Sequence, residues 1–114
     1  MKLVTDKQIW EKYPDYKLQG DALQYYCPGC KFLHRVNTIP EEHRGFAWAF
    51  NGDFDKPTFT PSVNFPGKCH HVITDGIIYF CDDSAHELKG QTVPLPEIPM
   101  RLLPIHLWSS GSKQ

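Results

Sequence analysis

The stretch that decides the fold is "CHHVITDGIIYFC", which runs from Cys69 to Cys81. Apolar and polar residues alternate on both sides of Asp75 and Gly76, a pair typical of a two-residue hairpin turn. With this turn, His70 pairs with Cys81, and Cys69 points to the opposite face from Cys81. The sequence therefore predicts an antiparallel hairpin with one cysteine on each face.

A second motif lies upstream, where "CPGC" places two residues between Cys27 and Cys30. Such a turn holds both sulfurs on one side, at about the spacing that zinc needs with bonds of ~2.3 Å. The partner ligands of a zinc ribbon follow after roughly 12–20 residues, whereas 38 residues separate Cys30 from Cys69. The two halves of the site must therefore meet through the fold.

The hairpin and the residues after it provide the downstream ligands. Because Cys69 and Cys81 face opposite ways, only one of them readily meets the "CPGC" turn, and His86 can fold back to either face. We expect a zinc ion bound by Cys27, Cys30, Cys69 and His86, with His34, His70, His71 and Cys81 left open as replacements for a named ligand.

Length and charge limit the class of protein. The chain has 114 residues, the size of one domain, and a net charge of −1 without a basic run, so we do not expect nucleic-acid binding. The N-terminus lacks a signal peptide, and no segment approaches the roughly 18 apolar residues of a membrane span. We therefore predict a cytoplasmic protein without membrane contact, in a reducing compartment that favours metal binding over disulfides.

The N-terminal region predicts a short helix followed by a hairpin. Thr5 and Gln8 have the spacing of a capping box, and Pro14 would end the helix. The alternating segment around Gly20 and Asp21 then predicts a hairpin that leads into the cysteine turn.

The middle of the chain predicts two further extended segments. "GFAWAFNGD" places Phe46, Trp48 and Phe50 on one face of a strand by period-two alternation. "KPTFTPSVNF" is also extended, but Pro57 and Pro61 cannot donate ladder hydrogen bonds and predict an edge strand or a binding rim.

The C-terminal region adds a short helix and an extended tail. Ser84 and Glu87 have the spacing of a capping box, and Gly90 would end the short helix that it begins. Four later prolines predict that the rest of the chain runs extended over the surface. We predict an α+β, β-rich fold of antiparallel hairpins with short helices, pinned by zinc. It comprises a single domain over residues 1–108 and a flexible tail over residues 109–114.

Four segments, "YYCPGCKFLHRV", "WAFNGDFDKPTFTPSV", "KCHHVITDGIIYF" and "DDSAHELKGQTVPLP", resemble a family of small uncharacterised proteins of bacteriophages and prophages. If the chain is phage-encoded, its compartment is the host cytoplasm. This chain has Ser84 where the family has a cysteine, which keeps Cys81 open as a substitute ligand. The family pattern carries over to Cys27, Cys30, Asn51, Gly52, Pro57, Thr58, Ser62, Cys69, His70, Asp83 and His86.

Some polar residues remain outside the metal set and form a candidate binding site. A His-Asp pair with a hydroxyl nearby can do acid-base or nucleophilic chemistry, although Ser and Thr beside prolines are commonly turn formers. The zincin and zinc-deaminase signatures do not fit this chain. The candidate binding residues are Asn51, Asp53, Thr58, Ser62, His70 and Asp83.

Two functional hypotheses follow. Three thiolates and one imidazole would close the zinc shell and favour a mainly structural metal, in a phage-type accessory protein that binds another protein. The alternative is a small zinc-dependent hydrolase of peptide or cell-wall bonds that uses His70, Asp83 and His86.

Overall fold

The computed structural model describes residues 1–9, 22–38 and 47–108. These residues form two antiparallel sheets, of three and five strands. The first sheet contains β1 (Val4–Thr5), β2 (Leu23–Cys27) and β3 (Phe32–Val36), with the helix α1 (Asp6–Ile9) directly after β1. The second contains β4 (Ala49–Phe50), β5 (Phe59–Phe65), β6 (Cys69–Thr74), β7 (Ile77–Phe80) and β8 (Thr92–Pro94). The β-rich, antiparallel part of the predicted fold class is confirmed.

The hairpin of β6 and β7 has the predicted register. Thr74 pairs with Ile77 across the turn. Asp75 and Gly76 both have positive φ, at 51° and 77°, as the favoured two-residue hairpin turn requires. The turn is also held from outside, because the backbone N–H of Asp75 donates to Thr58 Oγ1 at 2.8 Å.

The strand β5 lies between β4 and β6, so its prediction as an edge strand is wrong. Phe59 pairs with Ile73 and Val63 pairs with His71, so β5 uses two more residues than β6 between these pairs. Pro61 lies within the resulting bulge, where the ladder is interrupted and its missing N–H costs no hydrogen bond.

The capping box at the N-terminus is confirmed. The backbone N–H of Gln8 donates to Thr5 Oγ1 at 3.2 Å, and the backbone N–H of Thr5 donates to Gln8 Oε1 at 2.8 Å. Several predictions lie outside the described residues: Pro14 as helix end, the Gly20 and Asp21 hairpin, Phe46 on its strand, and the tail 109–114.

The main core joins the two sheets. Tyr25 of β2 and Phe59 of β5 are both buried and stack with their ring centroids 6.0 Å apart. Trp48 and Phe50 pack against the same core, as their alternation predicts, although β4 itself has only two residues.

The proline-rich C-terminal region does not simply run over the surface. Ile98 and Leu103 are buried with Val4 and Ile9 in a second core cluster. The prolines keep the chain extended, which lets apolar residues between them turn inward. Two short 3₁₀ turns follow, and no helix in the described ranges is long and apolar enough to cross a membrane.

The predicted helix at "SAHELKG" is wrong, since residues 84 and 85 are irregular and residues 87–90 form only isolated turns. The reason lies in the Ser84 hydroxyl, which bonds to the backbone of His70 instead of capping a helix. Gly90 ends the turns with a positive φ of 77°.

A buried ion pair ties α1 to the first sheet. Asp6 is fully buried, and Arg35 donates to its carboxylate from Nη2 at 2.7 Å and from Nε at 3.1 Å. Gln24 donates to the same carboxylate at 3.0 Å. Removal of the charge would leave both donors with a weaker acceptor in a poorly solvated place.

We expect Asp6→Asn to lower the free energy of unfolding by about 2 kcal/mol, the scale of hydrogen bonds to a charged group. The loss should be smaller than for a fully buried pair because the Arg35 side chain is 29% exposed. Urea unfolding measures the change, with the exposed Asp55→Asn as the matched control. Equal effects of the two substitutions would contradict the assignment.

Candidate functional site

The strand β6 separates two clusters of polar residues. Cys69 and His71 are buried toward the core, whereas His70 between them is half-buried on the outer face. Side chains along a strand alternate between its two faces. Chemistry around Cys69 and chemistry around His70 therefore lie on opposite sides of the same sheet.

On the outer face, three side chains form a hydrogen-bonded chain, here called the triad. Ser62 Oγ lies 3.0 Å from His70 Nε2. On the other side of the ring, His70 Nδ1 lies 3.0 Å from each carboxylate oxygen of Asp83. A hydroxyl, an imidazole and a carboxylate in this order are the parts of an activated serine nucleophile.

The bulge in β5 positions the hydroxyl of the triad. Ser62 lies within the interval where β5 and β6 change register, and bulges commonly re-aim side chains near active sites. The Trp48 indole N–H donates to the carbonyl of Ser62 at 3.3 Å. Because Trp48 packs on the core, the backbone of Ser62 is tied to the body of the domain.

The hydroxyl of Ser84 fixes the other two members of the triad. The backbone N–H of His70 donates to Ser84 Oγ at 3.0 Å, and this hydroxyl donates back to the His70 carbonyl at 2.9 Å. Ser84 is buried and directly follows Asp83 in the chain. The Ser84 side chain thus holds both the backbone of His70 and the loop that carries Asp83.

The triad is open to solvent. The His70 side chain is 26% exposed and the Asp83 side chain is 62% exposed. Water therefore screens the carboxylate, and its electrostatic effect on the imidazole is weaker than in a buried pair.

Cys81 is a second possible nucleophile near His70, since both lie with Asp83 in one group of polar atoms. Its thiol is less suited to the role. Partial burial and the nearby carboxylates of Asp83 and Asp82 raise the pKa of Cys81, which keeps the thiol protonated. The side chain within hydrogen-bond distance of His70 Nε2 is Ser62.

On the inner face, three thiols and one imidazole form what we call the sulfur cluster: Cys27, Cys30, His34 and Cys69. Their candidate ligand atoms all lie within 4.8 Å of one another. Cys27 Sγ and Cys69 Sγ are 3.9 Å apart, close to the roughly 3.8 Å expected for two thiolates on one tetrahedral zinc ion. The cluster could hold a metal ion.

His34 offers an unused nitrogen to this cluster. Its side chain is buried, and within the described part of the chain its Nε2 has no hydrogen-bond partner. Burial, and to a smaller extent the charge of His86, lower the pKa of His34 to about 4. The imidazole is therefore neutral at pH 7, which is the form that binds metals.

Two further histidines surround the sulfur of Cys69. His71 Nδ1 lies 3.2 Å from Cys69 Sγ, and His71 Nε2 lies 2.6 Å from the Tyr25 hydroxyl. His86 Nε2 lies 3.4 Å from Cys69 Sγ, while the backbone N–H of Leu88 donates to His86 Nδ1 at 3.2 Å. Cys69 is thus the sulfur with the most polar neighbours.

Gly29 makes room for His86 in this arrangement. A Cβ at Gly29 would lie 2.2 Å from Cε1 of the His86 ring. The glycine of "CPGC" therefore permits the ring to lie directly on the cysteine turn.

Burial of the thiols is costly for thiolates without a cation. It raises the pKa of Cys27 to about 11 and raises the pKa of Cys69 as well. A divalent ion would reverse this effect, because metal-bound thiols lose their protons. A cavity of about 430 Å³ lies beside the cluster, and its lining includes Cys30, His34 and Cys69.

The structure brings Cys27, Cys30 and Cys69 together as a group, with His34 as the fourth member and His86 against Cys69. Cys81 lies apart from them, beside His70. This separation agrees with the opposite faces expected from the hairpin register.

The candidate binding residues divide into two groups. Ser62, His70 and Asp83 form the triad. Asn51, Asp53 and Thr58 instead shape an exposed loop: Asn51 Oδ1 accepts from the backbone N–H of Asp53 at 3.2 Å and of Thr58 at 3.1 Å. Backbone N–H donors in the loop also lower the pKa of Asp53.

Comparison with known families decides between the two functional hypotheses. The sequence matches the family described as "Bacterial ubiquitination-like system serine protease (BubE)" over residues 4–81, more than half of the chain. This chain belongs to the BubE family. The match includes Ser62 and His70 and ends before Asp83. No curated protein and no solved structure matches the chain.

The family overturns the main functional prediction. The accessory or binding protein with a mainly structural metal is wrong, because the matching family is named for a serine protease. The hydrolase alternative is better supported, and the match gives no link to phages. Ser62 is the residue of the sequence that carries the signal for this reaction class, although its neighbour Pro61 favours a turn.

We expect purified wild-type protein to retain about one divalent metal ion per chain after dialysis, as closed thiolate sites do. Cys27→Ser should lose most of this metal because it removes one ligand of the sulfur cluster. Cys81→Ser, a matched change on the other face, should keep it. Elemental analysis measures the content, and equal metal in the two variants would contradict the assignment.

Proposed function

We propose that this chain is a serine protease of a bacterial ubiquitination-like system. Ser62 is the nucleophile, His70 the general base and Asp83 the carboxylate that orients the base. The observation that carries the proposal is the continuous chain from Ser62 Oγ through both nitrogens of His70 to Asp83, with 3.0 Å at each step. The family description supports the same reaction class.

The geometry accounts for both halves of amide hydrolysis. Asp83 accepts a hydrogen bond from the N–H at His70 Nδ1, which leaves the lone pair of Nε2 facing the hydroxyl of Ser62. His70 takes the hydroxyl proton as Ser62 Oγ bonds to the substrate carbonyl carbon, and then gives this proton to the leaving amine. Water, deprotonated by the same imidazole, then releases the acyl group and restores Ser62.

The family description favours a protein as the substrate, and thus a peptide bond over a cell-wall bond. The triad lies on the outer face of the second sheet and is partly exposed. An extended protein segment could therefore reach Ser62 from solvent. The expected protein partner is then the substrate itself.

We further propose that the sulfur cluster binds zinc, because thiolates and imidazole in a four-ligand set are typical of this ion. The fourth ligand is His34, whose buried Nε2 has no partner in the described ranges. His86 plays a different part. Its Nδ1 accepts the N–H of Leu88, so the proton of the neutral ring sits on Nε2 and can only be donated toward Cys69.

The zinc and the triad have separate roles in this proposal. The cluster lies on the inner face of β6 and the triad on the outer face. Zinc bound on the inner face would therefore not contact the reacting atoms of the triad.

A fluorophosphonate probe tests the nucleophile without a known substrate, because it phosphonylates activated serines. We expect one adduct on wild-type protein and none on Ser62→Ala. Asp83→Asn should slow labelling by about 10- to 100-fold, less than the ~10⁴ of a buried triad acid, because Asp83 is exposed. Intact-mass spectrometry over time measures the rate.

Thr60→Ala is the matched control, since it removes an exposed hydroxyl two residues from Ser62. It should be labelled at the wild-type rate. Labelling of Ser62→Ala as fast as wild type would rule out Ser62 as the nucleophile.

Two histidine variants test the zinc ligands. We expect His34→Ala to weaken zinc binding by about 100-fold or more, and His86→Ala by about 10-fold, the usual cost of losing a group that supports a ligand. Competition with a chromophoric chelator measures both affinities, and circular dichroism at saturating zinc checks folding. The reverse order would assign the ligand role to His86.

A further inference from the structure

A second group of metal-ligating atoms coincides with the triad histidine. One ring nitrogen of His70, Cys81 Sγ and one carboxylate oxygen of Asp83 lie within 4.8 Å of one another. We propose that these three residues form an inhibitory binding site for a divalent cation that accepts sulfur and nitrogen ligands, with Zn²⁺ as the expected ion. A cation bound there would stop the reaction at Ser62. The inhibitory effect rests on the proposed function; the binding site itself does not.

The backbone holds this site in place. Cys81 directly follows β7, and its backbone N–H donates to the His70 carbonyl at 2.8 Å, which continues the pairing of β6 and β7 by one residue. Directly opposite residues of an antiparallel pair send their side chains to the same face. Asp83 reaches the same imidazole from the loop that Ser84 anchors. The three ligands therefore meet without rearrangement of the strands.

The distances suit a metal ion. His70 Nδ1 and the nearest oxygens of Asp83 are 3.0 Å apart. A nitrogen and an oxygen that bind one tetrahedral zinc at ~2.0–2.1 Å lie roughly 3.3 Å from each other. A cation can thus take the place of the proton between His70 and Asp83 with little movement. Cys81 adds a thiolate, and the fourth position stays open for water.

Binding at this place removes the general base. The reaction needs the ring proton on Nδ1 and the lone pair on Nε2, which faces Ser62 Oγ. A cation bound to Nδ1 displaces the ring proton, which moves to Nε2 and occupies the lone pair there, while Cys81 releases its thiol proton to solvent. Nε2 can then donate to Ser62 but cannot accept its proton.

The ligand types set the selectivity. Mg²⁺ and Ca²⁺ prefer six or more oxygen ligands, whereas this site offers one carboxylate beside a sulfur and a nitrogen. Three thiolates in the sulfur cluster should bind Zn²⁺ more tightly than the single thiol of Cys81. The cluster therefore fills first, and the triad responds only to zinc beyond the first equivalent.

The experiment starts from protein loaded with one equivalent of Zn²⁺ and follows fluorophosphonate labelling of Ser62 as further Zn²⁺ is added. We expect saturating Zn²⁺ to slow wild-type labelling by about tenfold or more. The Zn²⁺ concentration that gives half-maximal inhibition should be about tenfold higher for Cys81→Ser than for wild type. Asp82→Asn, which removes a neighbouring charge but no ligand, should keep wild-type sensitivity within about twofold. Mg²⁺ should have no effect at the same concentrations.

A second readout does not depend on activity. Co²⁺ added to the zinc-loaded protein should give a near-ultraviolet thiolate-to-cobalt band in wild type and not in Cys81→Ser, because Cys81 lies outside the sulfur cluster. The inhibitory site would be overturned by an equal cobalt band in both proteins. It would also be overturned if Zn²⁺ inhibited Cys81→Ser as strongly as wild type. Neither outcome would affect the proposed function, provided that Ser62 is labelled. If Ser62 is never labelled, the proposed function fails, and the cobalt band alone decides whether the site exists.

Discussion

The alternation of side chains along β6 is the constraint on which the molecule depends. Cys69 and His71 point into the core, and His70 points outward between them. A slip of one residue in the pairing would exchange the two faces, which would put the base in the core and the thiol in solvent. The Asp75 and Gly76 turn fixes the pairing, so a local backbone conformation keeps the sulfur cluster and the triad on opposite faces.

The parts of the fold that the sequence predicts well are those set by neighbours in the chain. The hairpin register follows from period-two alternation and a turn pair, and the Thr5 and Gln8 capping box from a spacing of three. The sulfur cluster follows in part, since the hairpin register places Cys69 on the face that meets the "CPGC" turn. His34 is harder to assign, because only the approach of one sheet to the other shows that its nitrogen lies among sulfurs.

The sequence-based predictions that the structure contradicts concern elements that depend on long-range packing. Pro61 suggested an edge strand, but a bulge of two extra residues lets β5 stay inside the sheet. The same bulge brings Ser62 to His70, and no feature of the local sequence reports a change of register. Ser84 shows the same limit: its hydroxyl suits a helix cap, yet the nearby backbone of His70 is the partner it binds. The triad residues could therefore be named from the sequence, but their connection could not.

The exposure of Asp83 determines when its carboxylate acts most strongly on the imidazole of His70. In the free protein, water competes with His70 for this carboxylate, whose side chain is 62% exposed. A substrate that covers Asp83 would expel that water, and the attraction between carboxylate and imidazolium would grow as the local dielectric falls. In the proposed reaction, a docked substrate protein would thus complete the active site. A protein that binds briefly and leaves Asp83 in contact with water would find His70 a weaker base. Such dependence on contact would protect the surrounding proteins from indiscriminate cleavage.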